Sequence, residues 1–131
     1  MKKFLLMLII ALSSASLIAA TNINELMDYY SQNEKLSFST ERGKQLWEQQ
    51  NVGEDGKNRD CSTCHGKDLT KPGKHIKSGK VIDPLAKSVN SERFTELKTL
   101  KKWFKRNCKW TYGRECTDQE KGDILKYLSQ F

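Results

Sequence analysis

The chain has 131 residues, the size of one ordinary domain, and carries a formal charge of +7 at neutral pH. That balance excludes an acidic, self-solvating class and admits nucleic acid, a membrane surface or an acidic protein as partner. The four cysteines, Cys61, Cys64, Cys108 and Cys116, weigh heavily on what the chain can do.

The first twenty residues, MKKFLLMLIIALSSASLIAA, combine two lysines, an apolar run from Phe4 to Leu12 and small residues ending at Ala19 and Ala20. These are the three parts of a secretory signal peptide, and the run is too short to span a bilayer comfortably. Cleavage after Ala20 would leave one soluble domain, residues 21–131, and loss of Lys2 and Lys3 would lower the charge from +7 to +5. No second hydrophobic run follows, so no membrane span is expected after cleavage. The expected location is the periplasm, which argues against nucleic acid as a partner and places the cysteines in an oxidising compartment.

Ile23, Leu26, Met27 and Tyr30 recur at helical spacing and predict a short first helix. Ser39 or Thr40 can cap a second, in which Gly43, Leu46 and Trp47 share a face. Residues 51–60 are polar with two glycines and predict a loop. Residues 61–65, Cys-Ser-Thr-Cys-His, then set two thiols three residues apart with an imidazole next to the second. A short turn brings such thiols beside the two vinyl groups of one haem and holds the imidazole under its iron; this is the pattern of covalent haem attachment. Cys61 and Cys64 are therefore the expected attachment points and His65 the first iron ligand. A zinc site would need Cys108 and Cys116 as a second pair, but their offset of eight residues exceeds the usual spacing. A redox dithiol would sit near a βαβ pattern, which is absent, and a Cys61–Cys64 disulfide would leave His65 unexplained.

The segment TKPGKHIKSGKVIDP, residues 70–84, holds two prolines and two glycines and predicts irregular chain. A helical period resumes near Ser91, placing Phe94, Leu97, Leu100, Trp103 and Phe104 on one side. Thr117 and Glu120 match a capping box ahead of Ile124, Leu125 and Leu128, which predicts a last helix. The expected class is all-α, with long irregular connections and little apolar material to bury, a deficit that a large apolar cofactor would fill.

In most electron-carrying cytochromes c the second iron ligand is a methionine, but none follows Cys64 here: Met1 and Met7 belong to the signal and Met27 to the first helix. His75 lies ten residues past His65 in the Pro/Gly segment, is expected to stay on the His65 side of the ring, and reads better as an exposed loop residue. Asn107 follows Leu97, Leu100 and Phe104 at spacings of three, four and three, and so falls within the apolar arc, where a buried amide needs a partner. Iron, or a molecule bound to it, is one such partner. The other reading is a helix C-cap, since Asn tolerates left-handed backbone angles. Both stand on the residues alone. A bridge between Cys108 and Cys116 would enclose KWTYGRE and tie this helix to the last one, at ~2–4 kcal/mol of stabilisation.

The runs ERGKQLWEQQ, CSTCHGKDLT, IDPLA, ERFT, KKWFKRNC, GREC and EKGDILKYL resemble, in order and spacing, the sphaeroides haem protein (SHP) family across nearly all of the chain from Glu41 onward. The resemblance implies a single-domain class I cytochrome c fold around one covalent haem c, with Asn107 as an iron ligand that leaves on reduction. It implies uptake of oxygen, nitric oxide or similar small ligands by the reduced protein, a Cys108–Cys116 disulfide, and electrons supplied by a dihaem cytochrome c. The family pattern has no histidine at the position of His75. An amide oxygen is a hard donor that suits ferric iron better than ferrous, which agrees with its loss on reduction. Lys98, Lys101, Lys102, Lys105, Arg106 and Lys109 crowd one stretch that reads as a solvated helix face and also as a dock for an acidic electron donor. A monomer is expected. The competing functions are a permanently six-coordinate electron carrier and an enzyme reducing peroxide or nitrogen oxides, for which only His75 offers a distal acid–base group; ligand binding ranks above a dedicated enzyme.

Overall fold

The computed structural model describes residues 21–131; the expected signal peptide, residues 1–20, lies outside the described residues. Five helices are found there: α1 (Ile23–Ser31), α2 (Thr40–Glu48), α3 (Ser62–His65), α4 (Leu97–Tyr112) and α5 (Asp118–Leu128). Four two-residue strands make two antiparallel hairpins, β1 (Asn51–Val52) with β2 (Asn58–Arg59), and β3 (Gly73–Lys74) with β4 (Val81–Ile82). The fold is all-α, as expected, with the short strands confined to its connections.

Helix α1 begins in a capping box, Asn22 accepting from the Asn24 and Glu25 N–H groups while Glu25 reaches back to the Asn22 N–H. Ser39 caps α2 by accepting from the Arg42 N–H, which settles the choice between Ser39 and Thr40. Thr117 and Glu120 form the expected capping box of α5. The three helices pack together because their apolar stripes, Leu26, Met27 and Tyr30, then Trp47, then Ile124, Leu125 and Leu128, close on one core.

At the crossing of α2 and α5 the backbones touch. A Cβ on Gly43 would lie 2.0 Å from the Asp123 carbonyl oxygen, and one on Gly122 would lie 2.0 Å from the Phe38 ring. Asp123, 2% exposed, is fully partnered beside that contact. It accepts from the Ser39 N–H at 2.7 Å, from two Arg42 nitrogens at 2.8 Å each and from Gln119 at 3.1 Å, and so pins the start of α2 to α5.

Helix α4 departs from expectation at both ends. It starts at Leu97 rather than near Ser91, because residues 91–94 form a turn in which Phe94 takes a left-handed backbone at φ +59°. It ends past Asn107, at Tyr112, where Gly113 caps it at φ +68° and returns its N–H to the Lys109 carbonyl. Its buried residues are Leu100, Phe104, Cys108 and Thr111. Trp103 is 43% exposed, not part of that stripe. At about 100° per residue it projects about 60° from Leu100, on the side away from Phe104 and Cys108. Cys108 and Cys116 are joined by a disulfide that ties the last turns of α4 to the cap of α5. Among the described residues no helix is long and apolar enough to cross a membrane.

Candidate haem site

The attachment motif is a single turn whose shape is set by the residue before it. Asp60 accepts from the Thr63 N–H at 2.8 Å, the Ser62 hydroxyl at 2.7 Å and the Thr63 hydroxyl at 3.0 Å, so the chain folds back at Cys61. Partial burial works against the Asp60 charge, yet those hydrogen bonds hold its carboxyl below the ordinary range. The Cys61 N–H donates to the Trp47 carbonyl at 3.1 Å, fixing the turn to the end of α2. Gly66, at φ +75°, ends it.

Cys61 and Cys64 are the free cysteines among the described residues, and both are half-buried. Burial pushes the Cys61 thiol up to about 12, so it stays protonated at neutral pH. Its Sγ lies 3.8 Å from the Tyr112 hydroxyl, which donates to the Leu46 carbonyl at 2.7 Å. The His65 ring packs against Trp47 with ring centroids 5.5 Å apart. Burial, helped by the positive charge of Arg93, pushes its pKa down to about 4, so the imidazole is neutral at pH 7, the form that binds a metal. Behind the motif the chain runs flush: a Cβ on Gly73 would lie 2.2 Å from the Cys64 carbonyl oxygen and 2.9 Å from the His65 Cα. Two free thiols on one turn and a neutral imidazole beside them are the donor set a covalent haem requires.

Asn107 corrects one expectation and removes an alternative. It is exposed, outside the buried arc of α4, and it lies inside the helix because Gly113 serves as the cap. On the helix it shares a flank with Trp103 four residues before and Trp110 three residues after. Trp110 is where α4 meets the two hairpins. The guanidinium carbon of the buried Arg59 sits 4.2 Å above the indole centroid, and its Nη1 donates to the Trp110 carbonyl at 3.2 Å. His75 stacks on the same indole, centroids 5.5 Å apart and planes 28° from parallel. Its Nδ1 accepts from the Ser78 N–H at 3.2 Å. His75 is thus half-buried against α4 rather than an exposed loop residue, because hairpin β3–β4 reaches from the motif across to α4.

Arg59, Asp60, Tyr112 and Trp47 were not singled out from the sequence as site residues. Of these only Asp60 carried a usable signal, an acceptor three residues before Thr63 that suits a turn cap.

The fold and the donor set define a class, the c-type cytochromes with one covalently bound haem. The chain belongs to the SHP family, whose description, domain of unknown function (DUF1924), matches residues 33–128. It is 35% identical over 129 residues to the cytochrome c-type protein SHP of Cereibacter sphaeroides, covering 98% of each chain. The structure of oxidised SHP, an oxygen-binding cytochrome c, superposes with a TM-score of 0.77 at 36% identity, covering 86% of this chain and 99% of that one. Oxidised cytochrome c'' of Methylophilus methylotrophus is similar at a TM-score of 0.70 and 28% identity, covering 82% and 92%.

Proposed function

We propose that Cys61 and Cys64 hold the haem through thioethers, that His65 is the iron ligand on one face, and that Asn107 is a redox-labile ligand on the other. When bound, the haem supplies the iron that changes charge and takes up a small molecule. Asn107 offers a neutral amide oxygen, a hard donor that favours the ferric state, and it leaves on reduction. The reduced protein then takes up oxygen, nitric oxide or a similar diatomic ligand, with the electron coming from another cytochrome, a dihaem one or a comparable acidic donor.

The observation that carries this reading is the attachment turn, two free thiols with a neutral imidazole beside them; Asn107 lies mid-helix, relieved of capping by Gly113, between Trp103 and Trp110. Met27, the methionine of the described residues, is buried in the α1–α5 core and unavailable as a ligand. The oxygen-binding SHP relative supports the same outcome. Dedicated turnover of peroxide has less support, because the Nδ1 of His75 is committed to Ser78 and its ring to Trp110.

Electronic spectra of both oxidation states, with and without carbon monoxide, test the proposal. The expected result is a reduced form that turns high-spin and binds carbon monoxide. A reduced form that stays six-coordinate through its own side chains and ignores the gas overturns it.

Residues 1–20 act as a cleaved export signal, and the mature chain works as a periplasmic monomer. The capping box of α1 begins at Asn22, so a cut after Ala20 leaves the helix intact. Mass spectrometry of the mature protein is expected to find Thr21 first; a chain retaining the apolar run would refute export by cleavage.

A further inference from the structure

Two basic surfaces stand out among the described residues, on elements that both touch the attachment motif, α4 through Tyr112 at Cys61 and hairpin β3–β4 through Gly73 at Cys64 and His65. The first is the outer face of α4, opposite its buried arc. Part of it is already engaged. Lys109 pairs with Glu115 at 3.9 Å, Lys101 donates to the Tyr29 hydroxyl at 2.9 Å, and the Arg106 guanidinium lies 5.2 Å from the Trp103 centroid.

The second is hairpin β3–β4 and its approaches. Residues 69–82 contain Lys71, Lys74, Lys77 and Lys80 and no acidic residue, with the exposed Asp68 and Asp83 at either end. All four lysines are exposed, and among the described residues none of them enters an ion pair, though the Lys77 ammonium lies 5.8 Å from the Trp110 centroid. The same hairpin exposes two bare aliphatic side chains, Ile76 at 58% and Val81 at 69%. Val81 stands opposite Lys74 in the ladder. Gly73, at its base, touches the backbone of Cys64 and His65, and His75 joins it to Trp110 of α4. Exposed aliphatic groups among unpaired like charges are costly to solvate on a monomer and are the composition of a transient docking face, apolar at its centre and charged at its rim.

We infer that hairpin β3–β4 is the surface on which the electron-donor protein docks, and that this donor presents an acidic rim around an apolar centre. The inference rests on the haem reading above. The four lysines steer the encounter through their combined field, and Ile76 and Val81 supply the short-lived apolar contact. Electrons then enter beside Cys64 and His65, the stretch the hairpin touches, while the α4 lysines serve solubility.

Stopped-flow reduction of the ferric holoprotein tests this, with reduced flavodoxin as an acidic one-electron donor and the neutral lumiflavin radical as a small-molecule control. The variants are K74E/K77E/K80E, I76S/V81S and, with an equal change of charge on α4, K98E/K102E/K105E. At low salt the hairpin charge reversal is expected to slow reduction by flavodoxin on the order of tenfold or more. The α4 reversal is expected to stay within about threefold of wild type. I76S/V81S should slow the reaction while keeping its salt dependence, and lumiflavin should reduce all variants alike. An α4 reversal that costs as much as the hairpin reversal, or a hairpin reversal without effect, overturns the inference. Failure of the haem reading would show separately, as a wild-type protein that lumiflavin does not reduce or that binds no carbon monoxide once reduced.

Discussion

Asn107 is the residue on which the proposed chemistry turns, and its surroundings make it a clean target. It is exposed and mid-helix, so Asn107→Ala removes no packing and exchanges a weaker helix former for the strongest one. In the reduced protein, where the proposed iron bond is absent, the change in folding free energy is expected to stay within about 0.5 kcal/mol. The ferric spectrum is nevertheless expected to shift to a high-spin or water-ligated form. A ferric spectrum identical to wild type would mean the amide never touches iron, whatever the variant's ligand affinity. His65, the other proposed ligand, is kept neutral by burial, so no proton competes for its lone pair at working pH.

At the level of elements, α4 is held less by its own burial than by what pins it. Leu100, Phe104, Cys108 and Thr111 face the core, and Cys108–Cys116 ties the helix to the start of α5. Replacing both cysteines with serine is expected to cost ~2–4 kcal/mol in urea unfolding. A loss below about 0.5 kcal/mol would mean that the Tyr112 and Trp110 contacts suffice. The α5 cap adds a pH dependence. The Arg114 guanidinium beside Glu120, with help from the Thr117 N–H, holds its carboxyl below the usual carboxylate range. A depressed folded value stabilises the native state above the unfolded value and loses that contribution as pH falls through the folded one. Glu120→Gln keeps the cap geometry and is expected to flatten the acid limb of a stability profile. An unchanged limb would assign acid sensitivity to other carboxylates.

These elements were unequally legible. The α5 cap, the α2 cap and the haem motif are local patterns of three to five residues, and local patterns survive in a sequence. The hairpins were read as irregular chain, because a two-residue ladder shows no alternation; their order comes from packing against the motif and Trp110. The start of α4 was set too early because Phe94 fits the helical period, while its left-handed backbone is a tertiary demand. The same limit applied to Trp103 and Asn107, whose place on the helix was countable but whose neighbours were not.

Across the whole molecule burial is uneven. Helices α1, α2 and α5 supply Leu26, Met27, Tyr30, Trp47, Ile124, Leu125 and Leu128 to the core, and the Asp123 network and the Gly43 crossing fix α2 against α5. Between Gln49 and Glu96, by contrast, Leu69 and Ala86 are the fully buried apolar side chains among the described residues. The hydrogen bonds of so long a connection, with only two such side chains beside them, leave part of its ordering entropy, on the order of 1–2 kcal/mol per residue, to be offset otherwise. A covalent haem, large and apolar, would add to those contacts what they lack. The variant C61A/C64A, prepared without haem, therefore divides the molecule. Amide exchange is expected to leave α2 and α5 measurably protected around Gly43 and Asp123, while residues 66–96 exchange at rates near those of an unstructured chain. Loss of protection in α2 and α5 together with the loop would show one cooperative unit that depends on the cofactor throughout. Retained protection in the loop would show that the hairpins and the Trp110 contacts hold it unaided.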